Sequence, residues 1–283
     1  MGSPAVKKEV PVPHPLEDLV RMERIPHIWC SGCGTGSVFT ACLTAMKNTG
    51  INYDDFAMVS GIGCSGRGAG YINIDSFHTT HGRAIPFATG IKMARPETNV
   101  IVFSGDGDLF AIGGNHFIHA ARRNMDITVI CVNNFIYGMT GGQAAATTPH
   151  EAKSSTSMGG NPESPFNLPL LAYAAGATYV ARWTMLHSRD LADSIEEAIN
   201  HKGFSFVEAL SPCPINYGRR NKQKPLDTLR EYHANTIIKN NADPGELGID
   251  FKQKVILGKF VDIEKPSHDE QYHRLYHETS TKS

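Results

Sequence analysis

The 283 residues are enough for one large α/β domain with a substantial core, or at most two small ones. Apolar residues make up 41% and charged residues 19%, an ordinary globular balance. The 27 Lys and Arg against 28 Asp and Glu leave no charge excess that would point to nucleic acid or an anionic membrane surface. No apolar run reaches the roughly 18 residues of a membrane span. Met1 to Pro15 lacks the apolar stretch of a secretory signal. Six cysteines in such a chain fit a reducing cytoplasm, where clustered thiols bind metal or do redox chemistry, better than a disulfide scaffold.

In chain order, residues 1–24 read as an N-terminal extension, and Trp29-Cys30-Ser31-Gly32-Cys33-Gly34 follows. Phe56 to Ser60 predicts a buried strand, and Arg83 to Ala94 a helix stopped by Arg95-Pro96. Val100 to Phe103 predicts a second strand, Phe110 to Arg123 a helix, and Ile127 to Val132 a third strand. Gly138 to Pro165 is a long Gly/Ala/Thr/Ser/Pro-rich stretch, functional or mobile by its length. Leu168 to Ala175 predicts a helix, Thr178 to Arg182 a strand, Arg189 to His201 a helix and Phe204 to Leu210 a last strand. Apolar strands alternating with helices imply an α/β fold: a mostly parallel sheet covered by helices on both faces, with ligands beyond the carboxyl ends of its strands. From Pro212 the pattern fades. Residues 25–215 read as the main domain, and 216–283 as a C-terminal arm or a partly disordered tail.

The strongest local signal is Ser104-Gly105-Asp106-Gly107-Asp108 after a strand, closed about thirty residues later by Asn133-Asn134. Gly105 and Gly107 let the backbone approach a phosphate, and the next helix offers free N–H groups. Mg²⁺ commonly bridges carboxylate and phosphate oxygens. Asp106 offers a carboxylate and Asn134 an amide oxygen, and a βαβ crossover sets the two strand ends side by side. A lone Gly-Asp-Gly is usually a turn; in this setting it is the thiamine diphosphate fingerprint. Asp108 reads first as a helix N-terminal acid, with a further polar contact as the alternative.

Cys30-x-x-Cys33 is ambiguous between a zinc half-site, a dithiol and two iron–sulfur ligands. Cys64 and Cys213 each follow an apolar strand, so both should emerge at the carboxyl edge of the sheet. Four converging thiolates match a four-cysteine cluster, with structural zinc as the alternative. Cys42 and Cys131 read as core thiols.

These stretches resemble the beta subunits of the 2-oxoacid:ferredoxin oxidoreductases. The matching segments are Trp29 to Gly34, Gly61 to Arg67, His81 to Ala84, Gly105 to Asp108, Tyr137 to Gln143 and Pro212 to Pro214, in order over about residues 25 to 220. The resemblance implies a thiamine diphosphate-binding fold with three cofactors: thiamine diphosphate, Mg²⁺ and a [4Fe–4S] cluster. Cys30, Cys33, Cys64 and Cys213 would hold the cluster. Mg²⁺ would sit on Asp106, Asn134 and the Ile136 carbonyl. Ile62, Gly63, Cys64, Ser65, Arg67, His81, Gly105, Gly107, Gly138, Met139 and Thr140 would complete the cofactor site. Arg67 has the bland reading of a surface cation, His81 that of a loop histidine, and Thr140 with Gln143 that of loop shaping.

The implied reaction is coenzyme A-dependent oxidative decarboxylation of a 2-oxoacid, with electrons passing singly through the cluster to ferredoxin, or its reversal as reductive carboxylation. No carboxylate in the chain is suited to activate the cofactor's aminopyrimidine. The resemblance therefore implies a separate alpha subunit, in a heterodimer or a dimer of heterodimers, that brings a glutamate. Gly138 to Gln143 and the long tail look most like 2-oxoglutarate enzymes; pyruvate or broad-specificity enzymes are the alternative. A non-redox thiamine decarboxylase with structural zinc and a silent scaffold subunit are the alternatives of other classes.

Overall fold

The computed structural model describes residues 13–250 and 253–280. After two short turns, the chain forms α1 (Thr35–Asn48), β1 (Phe56–Ser60), α2 (Gly68–Tyr71), β2 (Asp75–His78), α3 (Ala84–Ala94) and β3 (Asn99–Gly105). Then follow α4 (Gly114–Arg122), β4 (Thr128–Asn133), a small ribbon of β5 (Ile136–Tyr137) and β6 (Gln143–Ala144), α5 (Leu168–Ala175), β7 (Tyr179–Thr184), α6 (Ser188–Asn200) and β8 (Ser205–Leu210). The chain continues through α7 (Pro225–Asn235), β9 (Thr236–Ile238), β10 (Val255–Asp262) and α8 (His268–Ser280).

One sheet runs β2-β1-β3-β4-β8-β7-β10-β9, and only the β7–β10 pairing is antiparallel. Every residue of β1, β4, β7 and β8 is buried, which is why these strands read as mostly apolar runs. One face packs Val38, Leu43 and Met46 of α1 and Leu191 and Ile195 of α6. The other packs Ala88 of α3, Phe117 of α4 and Leu168 of α5. Local signals set the helix ends. Asn167 Oδ1 accepts the Leu170 N–H at the start of α5, Pro169 sits in its first turn, and Gly176 ends it at φ 101°.

The fold class is the expected one, with three local differences. The helix expected over Phe110 to Arg123 is two pieces: a wide π-helical turn, Gly107–Ile112, and then α4. Gly113 marks the break, where a Cβ would lie 2.3 Å from the Asp108 carbonyl oxygen. Edge strand β2 was not expected, because its mostly exposed residues carry no apolar run. The third difference lies beyond residue 216, where β10 extends the sheet against β7 and buries Leu257, Phe260 and Val261. Of the N-terminal extension, residues 1–12 lie outside the described residues; Leu19 is fully buried against the core.

Arg182 on β7 and Glu208 on β8 form an ion pair at 2.6 Å, with side chains 1% and 0% exposed. Glu208 also accepts from the Asn133 amide at 2.7 Å, and Arg182 donates to the Leu247 carbonyl at 2.7 Å. This network fixes the residue immediately before Asn134.

Candidate functional site

The parallel strands β1, β3, β4 and β8 end side by side, so the loops leaving them meet beyond one edge of the sheet. β1 delivers Gly61 to Ser65, β3 delivers Gly105 to Asp108, β4 delivers Asn134 to Thr140, and β8 delivers Cys213. Between the first three loops lies a cleft of about 110 Å³. Ile62, Gly63, Cys64, Ser65, His81, Gly105, Asp106, Gly107, Asn134, Ile136, Gly138, Met139 and Thr140 all line it, together with Asp108 and Tyr137.

Arg67 is not among the lining residues. It stands in the turn before α2, and its guanidinium lies near Gly70 beside that of Arg24. The chain turns inward at Cys64-Ser65, and Arg67, two residues later, stands outside the cleft wall. Two residues gain roles. Thr147, in the long segment after β6, donates its hydroxyl proton to the Asp106 carboxylate. The ring of Tyr137 closes over Gly107, where a Cβ would come within 2.4 Å of it. Nothing in the sequence singles out Thr147, one threonine among several in its segment.

Asp106 is fully buried at the start of the π-helical turn. Asn134 donates its backbone N–H to Asp106 Oδ1 at 3.4 Å, so the two residues are neighbours in the cleft wall. Asn134 Oδ1 accepts the Ile136 N–H at 3.2 Å, which curls the chain so that 134 and 136 lie together. Burial raises the Asp106 carboxyl to about 6, against hydrogen bonds from Thr147 and Asn134 that lower it. Among the described residues no Lys or Arg pairs with it. A desolvated carboxylate with oxygen neighbours and no cation is what a hard divalent ion needs, so these residues fit Mg²⁺.

Asp108 does not serve as a simple helix N-terminal acid. Its carboxylate is 1% exposed and accepts from the backbone of Ile62 at 3.1 Å, from Gly82 at 2.8 Å and from the Ser104 hydroxyl at 2.8 Å. His81 Nδ1 approaches it at 2.5 Å. Gly61 must be glycine here, because a Cβ would fall 1.9 Å from Asp108 Oδ2.

The four cysteines converge beside the cleft. Trp29 Nε1 donates to the Cys64 carbonyl at 2.7 Å, tying the Cys30–Cys33 loop to the loop after β1. The backbone N–H of Cys213 donates to the Asn134 carbonyl at 3.2 Å, tying the last cysteine to the Asp106–Asn134 site. Gly138 faces both sulfurs: a Cβ there would lie 3.5 Å from Cys64 Sγ and 3.6 Å from Cys213 Sγ. Burial first, and then Cys213, Cys33 and Cys30, push the Cys64 thiol up to about 11. Burial also raises Cys33, with Cys213 and Cys30 adding to it. Cys30 is exposed. Among the described residues no three of His, Cys, Asp or Glu close on a single ion. Cys42 and Cys131 are buried in the core, as expected. Cys64 and Gly138 belong to both the cleft and the thiol group, so a ligand in one would touch the other.

The loop after β5 is shaped by its own side chains. Thr140 Oγ1 donates to Gln143 Oε1 at 2.6 Å and Gln143 Nε2 donates back to the Thr140 carbonyl at 3.0 Å. Thr140 thus has both of its readings, loop shaping and a place in the cleft wall. Ile62 and Met139, 42% and 47% exposed, stand at the mouth as uncovered apolar surface.

Residues 61–209 match the family model for the C-terminal thiamine pyrophosphate (TPP) binding domain of thiamine pyrophosphate enzymes. The chain is 52% identical over 264 residues, 93% of its length and 97% of the relative's, to the protein named 2-oxoglutarate synthase subunit KorB of Methanocaldococcus jannaschii. It is 46% identical over 186 residues, 66% of its length and 60% of the relative's, to subunit beta of 2-oxoacid:ferredoxin oxidoreductase 2 of Aeropyrum pernix. A solved 2-oxoglutarate:ferredoxin oxidoreductase from Magnetococcus marinus, with 2-oxoglutarate, coenzyme A and succinyl-CoA bound, superposes with a TM-score of 0.83 at 34% identity, covering 94% of this chain and 90% of that one. With this fold, this cleft and these likenesses, the chain belongs to the thiamine pyrophosphate-binding beta subunits of the 2-oxoacid:ferredoxin oxidoreductases, in the 2-oxoglutarate synthase KorB family.

Proposed function

We propose that this beta subunit works in the coenzyme A-dependent oxidative decarboxylation of 2-oxoglutarate to succinyl-CoA and CO₂, passing electrons one at a time through a [4Fe–4S] cluster to ferredoxin. The observation that carries this reading is the junction at Gly138, where the cofactor cleft and the four-cysteine group share a wall. Thiamine diphosphate, when bound, supplies the electron sink for decarboxylation. The chain's own residues hold and insulate it. Asp106, Asn134 and the Ile136 carbonyl would take Mg²⁺, Gly105 and Gly107 let the diphosphate approach the backbone, and Ser65 and His81 line the wall.

Cys30, Cys33, Cys64 and Cys213 would hold the cluster. Structural zinc on the same four sulfurs is the competing reading, and the family's redox chemistry favours the cluster.

A cleft of about 110 Å³ is small for a whole cofactor; sites for ligands of that size usually run to about 300 Å³ or more. The walls here suit the diphosphate and its cation. An alpha subunit would cover Ile62 and Met139, enclose the rest of the cofactor and bring the glutamate this chain lacks. Residues 25–215 would carry both cofactor sites. We place the complex in the reducing cytoplasm, where the thiols stay free; no described helix is long and apolar enough to cross a membrane.

The substrate is tested by steady-state comparison in the assembled complex. 2-Oxoglutarate should exceed pyruvate in kcat/KM by about tenfold or more, equivalent to about 1.4 kcal/mol. A tenfold preference for pyruvate would overturn the substrate and leave the reaction class standing.

A further inference from the structure

Asp108 is more elaborately held than a carboxylate needs to be for helix capping. Oδ1 accepts two backbone N–H groups, Ile62 at 3.1 Å and Gly82 at 2.8 Å, while Oδ2 accepts the Ser104 hydroxyl at 2.8 Å. The three donors come from the loop after β1, the turn after β2 and the end of β3. His81 Nδ1 also points at Oδ1, at 2.5 Å. An oxygen already receiving two N–H donors serves as an acceptor, so the histidine nitrogen facing it carries the hydrogen. The neutral ring is then the Nδ1–H tautomer, and its lone pair sits on Nε2. His81 lines the cleft with its side chain 35% exposed, and among the described residues Nε2 has no hydrogen-bond partner.

We propose that Asp108 is a positioning residue that fixes the tautomer and angle of His81, so that Nε2 presents an acceptor to an O–H or N–H group at the reacting end of the bound ligands, beyond the diphosphate. The inference rests on the reading of this cleft as the thiamine diphosphate and 2-oxoacid site. A free imidazole exchanges tautomers and rotates about two bonds; the carboxylate removes both freedoms before the ligand arrives. The same carboxylate ties three cleft-forming loops together, so its two roles must be separated by experiment.

The test uses the assembled complex and two readouts, kcat and the thiamine diphosphate dissociation constant from fluorescence titration. His81→Asn and Asp108→Ala should each lower kcat by about 100-fold, the lower end for a positioned proton-handling group, while the dissociation constant stays within about threefold. The double variant should be no worse than either single one, because each breaks the same interaction. Multiplicative losses, or a dissociation constant that rises in step with the fall in kcat, would reduce Asp108 to a structural tie and overturn the proposal. Should Asp108→Ala fail to assemble, the histidine variants decide. The amide of His81→Gln reaches where Nε2 stands and that of His81→Asn does not, so the glutamine enzyme should keep at least tenfold more kcat; equal loss sinks the idea. Thiamine diphosphate binding by the unaltered complex checks the parent reading separately.

Discussion

At the residue scale, the burial of Asp106 makes two predictions. Removing its carboxylate by Asp106→Ala should lower 2-oxoacid-dependent viologen reduction by about 100-fold or more, beyond the usual cost of losing a supporting hydrogen bond. Unchanged activity would mean that the cation is held elsewhere. The second prediction concerns pH. Its folded value, about 6, lies above the ordinary 3.8, so the folded chain binds this proton more tightly than the unfolded chain does. Without a cation, stability should therefore fall as pH rises from about 4 to about 6 and level off above that. Mg²⁺ with thiamine diphosphate needs the ionised carboxylate, so their stabilisation should appear as pH rises through about 6. Thermal unfolding with and without the two ligands across this range checks both signs.

The residue scale is also where sequence reading was most uneven. Asp106, Asn134 and the cysteines were legible because glycine, carboxylate, amide and thiol at strand ends have few other uses. Asp108 does stand in the first turn of the helix, as expected, but only the fold shows that Ile62, Gly82 and Ser104 also aim at it. Arg67 was assigned by the resemblance of the stretch after Cys64 to a diphosphate site; it stands in the turn before α2, outside the residues that line the cleft.

At the element scale, strands buried on both faces announced themselves, whereas β9 and β10 were missed because the chain around them is polar, although Val255 to Val261 is itself a largely apolar run. The consequence is that the sheet depends on its C-terminal segment. Ending the chain before residue 253 would strip β10 from β7, exposing backbone donors and the apolar surface that Leu257, Phe260 and Val261 cover. Such a truncation should aggregate or lose several degrees in Tm; an unaltered melt would show β10 to be dispensable. The Arg182–Glu208 pair gives a sharper test. Arg182→Met leaves Glu208 buried, with the Asn133 amide as its remaining polar partner. Denaturant unfolding should show a loss of about 3–5 kcal/mol. Because Glu208 holds Asn133, the variant should also retain Mg²⁺ less well than its residual stability would suggest.

At the scale of the whole molecule, the proposed function makes this chain one half of a shared site. The cleft is narrow, its mouth carries exposed Ile62 and Met139, and the two acids that line it, Asp106 and Asp108, are buried and already hydrogen-bonded. The isolated subunit should fold yet show no 2-oxoacid oxidation, and adding the alpha subunit should restore it. Activity from the beta subunit alone would refute the shared site. The reading as a redox enzyme rests on what Cys30, Cys33, Cys64 and Cys213 hold beside that cleft. The most direct measurement is iron, acid-labile sulfide and zinc in complex purified without oxygen. About four irons and four sulfides per beta subunit are expected of a [4Fe–4S] centre, lost when Cys213 is replaced by serine; one zinc with no sulfide would contradict the account.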